Sequence, residues 1–537
     1  MVFWRCLVSH HYKQGLNRHQ QQLLPPSLDE YVDEDNAVRA IDSYVDILDL
    51  SKLQVKNLSK KSNNGQPAFH PKLLLKIYIY GYLNKIRSSR NLEKEIKRNI
   101  EMIWLTQGLT PSYKTIANFR KDNPTALKEV FKEFVVLCRE VGLIEGKLVA
   151  IDGAFLRANA SKNQLIMKKN ILKDLEQIDE KIANYLTLLD TTDQEEKNTS
   201  STLSIPKNIA KLREKKEQYK SDLALLEKLD KTQYNRTDPD ASLMIKPAHN
   251  LMAYNSQIAV DSKYKFIVAS EVSSNNNDAA QLCTMAKLSK EIISVENLTV
   301  VADTGYESAI EIKKCIDENI TPIIPKANKQ KAQEDKGLYV REKFVYNKQS
   351  DSYKCPNNQE IKKTNSTQIK GEKLLYNYRC SSAVCKNCPL RDKCLPQQTP
   401  YKQLFRWEHE EVIEKHNKHM QTDEAKAIIK QRGSIVEHPF GTIKRTLGWD
   451  HFLVRGIEKV SGENSLIMFS YNFKRLMTLI GIVLFRKLLI ALQNGNMDAI
   501  KEEIAEYISR YLHIWGYIFK VLIIFGFMKR NTRYILR

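Results

Sequence analysis

Residues 147–161 read KLVAIDGAFLRANAS, and this stretch decides the fold class that we predict for the chain. A short aliphatic run that ends in Asp-Gly is typical of a buried β-strand, here with Asp152 at its carboxyl end. Residues 298–306, LTVVADTGY, repeat the pattern and place Asp303 at the end of a second buried strand. With a predicted hairpin over residues 253–274 and intervening helices, the order indicates an α/β fold with a mixed sheet flanked by helices.

The ends of these two strands make their aspartates candidate metal ligands. In open α/β sheets, ligands and catalytic groups gather outside the carboxyl ends of the strands. Two carboxylates there repel each other unless a cation lies between them, and such oxygen ligands favour Mg²⁺ or Mn²⁺. We therefore predict that Asp152 and Asp303 share a divalent-metal site; the alternative is that each only caps a turn. Asn277 and Asp278, which follow the hairpin, fit a helix N-cap, the interpretation that we favour, but they also resemble a segment that recurs in a known protein family.

A third acidic candidate lies in residues 425–448, AKAIIKQRGSIVEHPFGTIKRTLG. Glu437 and Lys444 are seven positions apart, two turns of an α-helix, so they are predicted to share one face. Arg445 follows Lys444 directly. A carboxylate and cations on one face could bind a metal ion and a phosphate backbone together; a surface ion-pair face is the alternative.

The charge of the chain indicates a polyanionic partner, either nucleic acid or an anionic membrane surface. The 537 residues include 84 Lys and Arg against 63 Asp and Glu, a net charge of +21, which argues against an ordinary acidic cytosolic enzyme. Residues 71–121 alone carry eleven Lys or Arg against three Glu, an excess of +8. Short helices, a break at Gly108 and a Thr-Pro-Ser cap at residues 110–112 suit a helix-turn-helix-like DNA binder. The alternative is a solvated basic face on a packing domain.

Five cysteines within forty residues predict a structural zinc site. Cys385 and Cys388 form a Cys-x₂-Cys pair, Cys380 and Cys394 flank it closely, and Cys355 starts the cluster. In a reducing compartment such a cluster favours tetrahedral Zn²⁺ over disulfides. Five candidates for four positions leave the ligand set open, and free thiols or an iron–sulfur cluster are the alternatives.

Shifts in composition divide the chain into predicted domains. These are an N-terminal helical DNA-binding domain (20–145), a core in two parts (146–161 with 236–335, and 401–476 with the Glu437 helix), a helical-hairpin insert (162–235), a cysteine-rich insert (339–400) and a helical tail (477–537). The start lacks the features of a secretory signal, so we expect an intracellular protein. Residues 511–528 predict a packed C-terminal helix, with an amphipathic surface anchor as the alternative.

Several of these segments resemble the signature regions of bacterial insertion-sequence transposases of the DDE class. They are VAIDGAF (149–155), VVADTGYES (300–308) and the long stretch 436–476. Residues 26–50 and 69–83 resemble the N-terminal domain of one cysteine-containing branch, and the resemblance extends over residues 24–476. It implies an RNase H-like catalytic core and a small zinc-ribbon-like insert between the second aspartate and the glutamate.

The resemblance also implies a chemistry. It assigns a triad of Asp152, Asp303 and Glu437 that holds two Mg²⁺ (or Mn²⁺) ions for phosphoryl transfer on DNA. The steps would be hydrolytic nicking at the transposon ends and then strand transfer into target DNA, with no covalent enzyme intermediate.

The DNA contacts implied by the resemblance are Arg432, Lys444 and Arg445. The Glu-x₆-Lys half of the Tyr-x₂-Arg-x₃-Glu-x₆-Lys signature matches Glu437 and Lys444. The upstream half departs, because four residues instead of three separate Arg432 from Glu437, and Ile429 stands where the pattern has Tyr.

Three functions compete at this point: an active DDE transposase, a non-catalytic DNA-binding protein derived from one, and a metal-dependent DNA nuclease. The expected partner is double-stranded DNA, both transposon ends and target, with a homodimer or larger assembly on the DNA and no membrane. The expected location is the bacterial cytoplasm, in association with the nucleoid.

Overall fold

A computed structural model describes residues 26–56, 67–194, 205–245, 250–327 and 331–524 of the chain. The helices are, in chain order, α1 (Ala37–Ile47), α2 (Pro71–Leu83), α3 (Ser89–Arg98), α4 (Ile100–Leu105), α5 (Tyr113–Asp122), α6 (Pro124–Glu140), α7 (Lys168–Gln194), α8 (Ile205–Lys228), α9 (Leu282–Ile293), α10 (Ala309–Asp317), α11 (Lys331–Glu334), α12 (Ser382–Lys386), α13 (Arg391–Cys394), α14 (Glu410–His419), α15 (Asp423–Gly441), α16 (Ile457–Gln493) and α17 (Met497–Ile524). The strands are β1 (Leu148–Arg157), β2 (Leu165–Met167), β3 (Gln233–Asn235), β4 (Ser242–Ile245), β5 (Asn250–Asp261), β6 (Ile267–Ser273), β7 (Leu298–Val301), β8 (Ile320–Ile323), β9 (Val345–Asn347), β10 (Ser352–Lys354), β11 (Glu360–Lys370), β12 (Lys373–Arg379) and β13 (Gln403–Trp407).

The N-terminal region is helical from α1 to α6, as predicted. The sequence of α2, PKLLLKIYIYGYL, is apolar all round, and a helix of this kind is buried on every side. It packs against α1, α4, α5 and α16. Gly81 is needed in α2 because a Cβ there would lie 2.6 Å from the carbonyl oxygen of Ile86. The predicted cap of α5 is confirmed, since Ser112 Oγ accepts a hydrogen bond from the amide of Thr115 at 3.3 Å.

The central sheet is mixed, which confirms the predicted fold class at this level. Its strand order is β4-β5-β1-β7-β8, and β6 pairs with the second part of β5. β1 is antiparallel to β5 and parallel to β7, and β7 is parallel to β8. The chain passes from β7 to β8 through α10, because parallel neighbours need a crossover connection.

β1 is longer than the sequence predicts. It continues past Asp152 to Arg157, and β5 remains its partner over that length. Its parallel neighbour β7 ends at Val301, which pairs with Ala150. The prediction that Asp152 ends its strand is therefore wrong, because the twelve-residue β5 supplies hydrogen bonds to β1 beyond the point where β7 stops.

The two charged helices predicted between residues 162 and 235 are present as α7 and α8, which pack against each other. A small apolar cluster that includes Ile171, Leu226 and Tyr234 holds the base of the pair, next to the β2–β3 ribbon. Residues 195–204 lie outside the described part of the chain.

The cysteine-rich stretch forms a second, antiparallel sheet with the order β13-β12-β11-β10-β9. It has its own small core, which includes Phe344, Tyr353, Ile361, Tyr378 and Leu404. The sheet extends to β13, after residue 400, because β13 pairs along β12.

The long helix α16 forms the centre of the main core. Its first half packs against α1, α6 and β6, and Gly462 allows close contact with Pro124 of α6, where a Cβ would lie 2.7 Å from the proline Cα. Gly481, with φ 76° and ψ 163°, interrupts the helix. In the part of the chain that the structure describes, α16 is the one helix long and apolar enough to cross a membrane by length and composition. Core helices pass the same test, and the first half of α16 is a core helix. The predicted helix over residues 511–528 falls partly outside the described residues.

Candidate active site and cysteine cluster

The parallel register of β1 and β7 sets Asp152 beside Asp303. Ala150 pairs with Val301, the last residue of β7, and Asp152 and Asp303 each follow two residues later along the chain. Asp303 lies close enough for its charge to act on the carboxylate of Asp152. Asp303 also begins a tight turn, in which its Oδ1 accepts a hydrogen bond from the amide of Gly305 at 2.8 Å. The structure therefore brings the two predicted aspartates together.

The carboxylate of Asp152 is largely removed from water, with its side chain 25% exposed. Burial raises its pKa to about 6. The positive charge of Arg432 and a hydrogen bond from the amide of Gly153 act in the opposite direction and lower the pKa. The nearby negative charges of Asp303 and Asp278 raise it further. A desolvated carboxylate among like charges is an environment that favours a bound cation.

Arg432 faces this pair of acids from helix α15, which packs over β1, β5, β7 and β8. Its Nη1 lies 3.9 Å from Asp152 Oδ1, too far for a hydrogen bond. This nitrogen is buried and has no hydrogen-bond partner among the described residues. Arg432 lies on the inward stripe of α15 with Ala425 and Val436, at helical spacing, so the sequence-predicted DNA contact points at the acids.

Glu437 is carried by the same helix but projects from a different face. Its side chain is exposed and folds over the preceding turn, with Oε1 3.3 Å from where a Cβ on Gly433 would lie. The carboxylate of Glu437 thus lies beside Gly433. The helix continues into a π-helical turn over Thr442–Thr446, which carries Lys444 and Arg445. The predicted common face of Glu437 and Lys444 assumed regular α-helix spacing, and the wider turn changes it.

Asp278 is a site residue that sequence reasoning missed. The N-cap of α9 is Gln281, so the N-cap interpretation of Asp278 is wrong. Asp278 Oδ1 instead accepts hydrogen bonds from Asn255 Nδ2 at 2.7 Å and Gln257 Nε2 at 2.5 Å. A Cβ on Gly153 would lie 2.7 Å from the same oxygen, which places Asp278 directly beside Asp152. The sequence does contain a signal for this role of Asp278. Asn255 and Gln257 are polar residues at alternate positions of the otherwise apolar strand β5, and buried side-chain amides need hydrogen-bond partners.

The five predicted cysteines line a single cavity of the second sheet. Cys355 comes from the β10–β11 turn, Cys385 from α12 and Cys394 from α13. Burial raises the pKa of Cys380 to about 12, and the neighbouring thiols of Cys385 and Cys355 add to the rise. The pKa of Cys394 is also raised by burial. Thiolates in such surroundings need a metal ion to stabilise them.

The sequence matches two protein families. Residues 26–122 match the family described as a transposase domain (DUF772), and residues 354–477 match a transposase DDE domain. Together, the two matches support an insertion-sequence transposase of the DDE class. This confirms the predicted family and the predicted function as a DNA-cleaving, strand-transfer enzyme. The match to the DDE domain covers the cysteine cluster and the Glu437 helix.

Among solved structures, the transposase is similar to a chain of the cryo-EM structure of the piggyBac transposase synaptic complex with hairpin DNA, at 9% identity and a TM-score of 0.27. The similarity covers 89% of this transposase and 82% of that chain. No curated protein matches the sequence.

Transposases of the DDE class use divalent metal ions, and the donor chemistry of the acidic site fits such an ion. Asp152, Asp303 and Asp278 offer hard carboxylate oxygens, and the buried, unpartnered Nη1 of Arg432 lies 3.9 Å from Asp152 Oδ1. The cysteine cluster offers the sulfur ligands that zinc prefers. As the side chains stand, no group of three or more His, Cys, Asp or Glu among the described residues is arranged to hold an ion. Metal binding at either site therefore requires side chains to turn.

The pKa of Asp152 gives a testable pH dependence of stability. Its folded-state value of about 6 lies above the ordinary 3.8, so this group stabilises the folded state below pH 4 and loses that contribution as the pH rises through about 6. Asp152→Asn removes the dependence. In urea unfolding with EDTA, we expect the stability of the variant relative to the wild type to rise by about 1–3 kcal/mol from pH 4 to pH 7. A difference that stays flat over this range would contradict the burial of Asp152.

Proposed function

We propose that Asp152, Asp303 and Glu437 form the catalytic centre of this transposase and that they hold two Mg²⁺ (or Mn²⁺) ions. The observation that carries the proposal is the pairing of β1 with β7, which brings the desolvated Asp152 close to Asp303, two residues beyond the end of β7. The mixed sheet with helices packed over it supports an RNase H-like core. Its predicted parts remain residues 146–161 and 236–335, completed by 401–476.

Each acid has a distinct role in this proposal. Asp152 supplies a carboxylate whose desolvation favours a divalent cation, and Asp303 supplies one whose orientation is fixed by the amide of Gly305. Glu437 would join them by turning away from Gly433, since its helix already packs against β1 and β7. Divalent ions held by these three residues would activate a hydroxyl nucleophile and stabilise the leaving oxygen.

The cations of the α15 region would bind the DNA backbone. Arg432 balances the charge of Asp152 in the absence of a metal ion and becomes available to a phosphate once a cation takes over that task. Lys444, whose ammonium lies 5.5 Å from the ring centroid of Phe440, and the exposed Arg445 follow on the π-helical turn. All three come from one continuous helical segment, so they can track a phosphate backbone that crosses the acidic site.

The N-terminal helical domain (20–145) would bind the transposon ends. Lys94 on α3 and Lys114 and Lys121 on α5 are exposed, with no carboxylate within ion-pair distance among the described residues. Cations of this kind release counterions when they contact phosphates, so binding should weaken steeply with salt. The buried faces of these helices account for packing, and the free lysines favour the DNA interpretation. Paired ends also call for at least a dimer on the DNA.

The test uses linear DNA that carries the terminal repeats of the element, incubated with the full-length protein and Mg²⁺. The proposal expects cuts at the repeat ends followed by joined products in a target plasmid, and neither with Ca²⁺ or EDTA. Cuts without joining would indicate a nuclease, and binding alone would indicate a non-catalytic DNA-binding protein. Either result would overturn the proposal.

For the cysteine-rich insert (339–400), we expect about one tightly bound zinc ion per chain, in a zinc-ribbon-like structural site. The double substitution Cys385→Ser with Cys388→Ser removes the Cys-x₂-Cys pair and should release the zinc, because only three cysteines of the cluster remain for four positions. The measurement is metal content by mass spectrometry after gel filtration. Cys283→Ser, on α9, is the matched control and should keep the zinc. Wild-type protein that purifies free of zinc, or with iron and labile sulfide, would contradict the assignment.

A further inference from the structure

We propose that Asp278 is a fourth acidic ligand of the divalent-metal centre, and that Asn255 and Gln257 are positioning residues that aim it. The inference rests on the proposed function, because it adds a residue to that centre.

Asp278 lies close to the segments that carry Asp152 and Asp303. A Cβ on Gly153, next to Asp152, would lie 2.7 Å from Asp278 Oδ1. A Cβ on Gly305, two residues after Asp303, would lie 3.9 Å from Asp278 Oδ2. The two oxygens of Asp278 are thus directed to the neighbours of the two catalytic aspartates. The negative charges of Asp303 and Asp278 both act on the carboxylate of Asp152.

Only one oxygen of the Asp278 carboxylate accepts hydrogen bonds from described residues. Both amide donors, from Asn255 and Gln257, contact Oδ1. Oδ2 accepts no hydrogen bond from a described residue, and it faces the Asp303 turn. A carboxylate has lone pairs on both oxygens, and one that only satisfied buried amides would need no second oxygen in the open site. A cation shared with Asp303 would use it.

Further hydrogen bonds hold the Asn255 and Gln257 amides in the orientation in which they donate to Asp278. The hydroxyl of Tyr306 donates to Gln257 Oε1, which leaves the Gln257 amide nitrogen for Asp278 and for Asn255 Oδ1, at 3.0 Å. Asn255, Gln257 and Tyr306 are fully buried. Tyr306 belongs to the turn that Asp303 begins, so this network ties the Asp303 loop to Asp278 through the centre of β5. Burying this many polar groups is costly unless every one is paired, which fixes the geometry of the network.

The experiment measures Mn²⁺ affinity of the full-length protein by electron paramagnetic resonance, independently of activity. Asp278→Asn keeps an oxygen acceptor for the two amides but loses the charge, and we expect the Mn²⁺ affinity to fall by at least about tenfold. Asp261→Asn is the matched control: Asp261 is a buried acid at the other end of β5 that accepts the backbone amides of Gly146 and Lys263. This control should bind Mn²⁺ as the wild type does.

A second readout locates the ion. With Fe²⁺ in place of Mg²⁺, and with added hydrogen peroxide and ascorbate to generate hydroxyl radicals at the bound iron, the wild-type backbone should be cut near residues 152, 278 and 303. The cut near residue 278 should be lost in Asp278→Asn. Asn255→Leu removes one donor, and its effect on Mn²⁺ affinity should vanish in the Asp278→Asn background if Asn255 acts through Asp278. Effects that simply add would overturn the positioning role.

The outcomes separate this inference from the proposed function. Asp278→Asn with wild-type Mn²⁺ affinity, alongside Asp152→Asn with lost affinity, would overturn the inference and leave the proposed centre intact. Asp152→Asn with unchanged affinity and unchanged DNA cleavage would overturn the proposed centre itself.

Discussion

Asp152→Asn is expected to reduce DNA cleavage by at least about a thousandfold, which corresponds to about 4 kcal/mol of transition-state stabilisation. An amide is neutral and a weaker ligand for a hard cation, so the centre would lose one of its two best-placed oxygen donors. The measurement is single-turnover cleavage of labelled end DNA in Mg²⁺. Binding of the same DNA in Ca²⁺ should stay within about threefold of wild type, because the substitution leaves the basic surfaces unchanged.

The control for this prediction is Asp450→Asn. Asp450 is an exposed acid whose Oδ2 lies 2.8 Å from Arg157, the last residue of β1. It lies at the end of the same strand but outside the acidic site, so its variant should cleave DNA at close to the wild-type rate. Specific cleavage by Asp152→Asn at a similar rate would remove Asp152 from the catalytic centre.

Glu463→Gln is expected to lower the free energy of unfolding by about 3–5 kcal/mol. Glu463 is fully buried on α16, and its Oε1 lies 3.6 Å from Arg87 and 3.5 Å from Arg120. Its Oε2 accepts the backbone amides of Leu453 and Val454 at 2.9 and 3.2 Å. The glutamine would leave two buried guanidinium groups without a counter-charge, and chemical denaturation would measure the loss.

Glu458→Gln is the matched control on the same helix. Glu458 is exposed in the first turn of α16, where its charge has a weak favourable interaction with the N-terminus of the helix. We expect its substitution to cost less than about 1 kcal/mol. If the two variants unfold at the same denaturant concentration, the charge of Glu463 does not contribute to the free energy of unfolding as we expect.

Sequence patterns predicted the mixed sheet, the helical N-terminal region and the cysteine cluster, because each depends on local spacing. They placed Asp152 at a strand end and missed that β1 continues, because the length of a strand depends on its partner. The same limit applies to β13, which joins the second sheet only through pairing with β12. Whether a strand forms can be predicted from its own sequence, whereas its length depends on the strands with which it pairs.

The acidic site shows a similar division. Asp152 and Asp303 were found from their position after aliphatic runs, and the register of two strands distant in sequence sets them side by side. Asp278 was misassigned because its partners, Asn255 and Gln257, lie on another strand. Glu437 was placed on a regular helix face, and neither its turn toward Gly433 nor the π-helical turn after it has a local signal.

The contacts of Glu463 have a consequence for how such enzymes can be recombined. Its carboxylate joins Tyr82 and Arg120 of the N-terminal helices to the backbone that follows the α15 segment. A chimera that takes its N-terminal region from another element must bring matching basic and phenolic side chains with it. The N-terminal region therefore cannot be exchanged independently of the rest of the chain, and we infer that the two regions of this enzyme are inherited together.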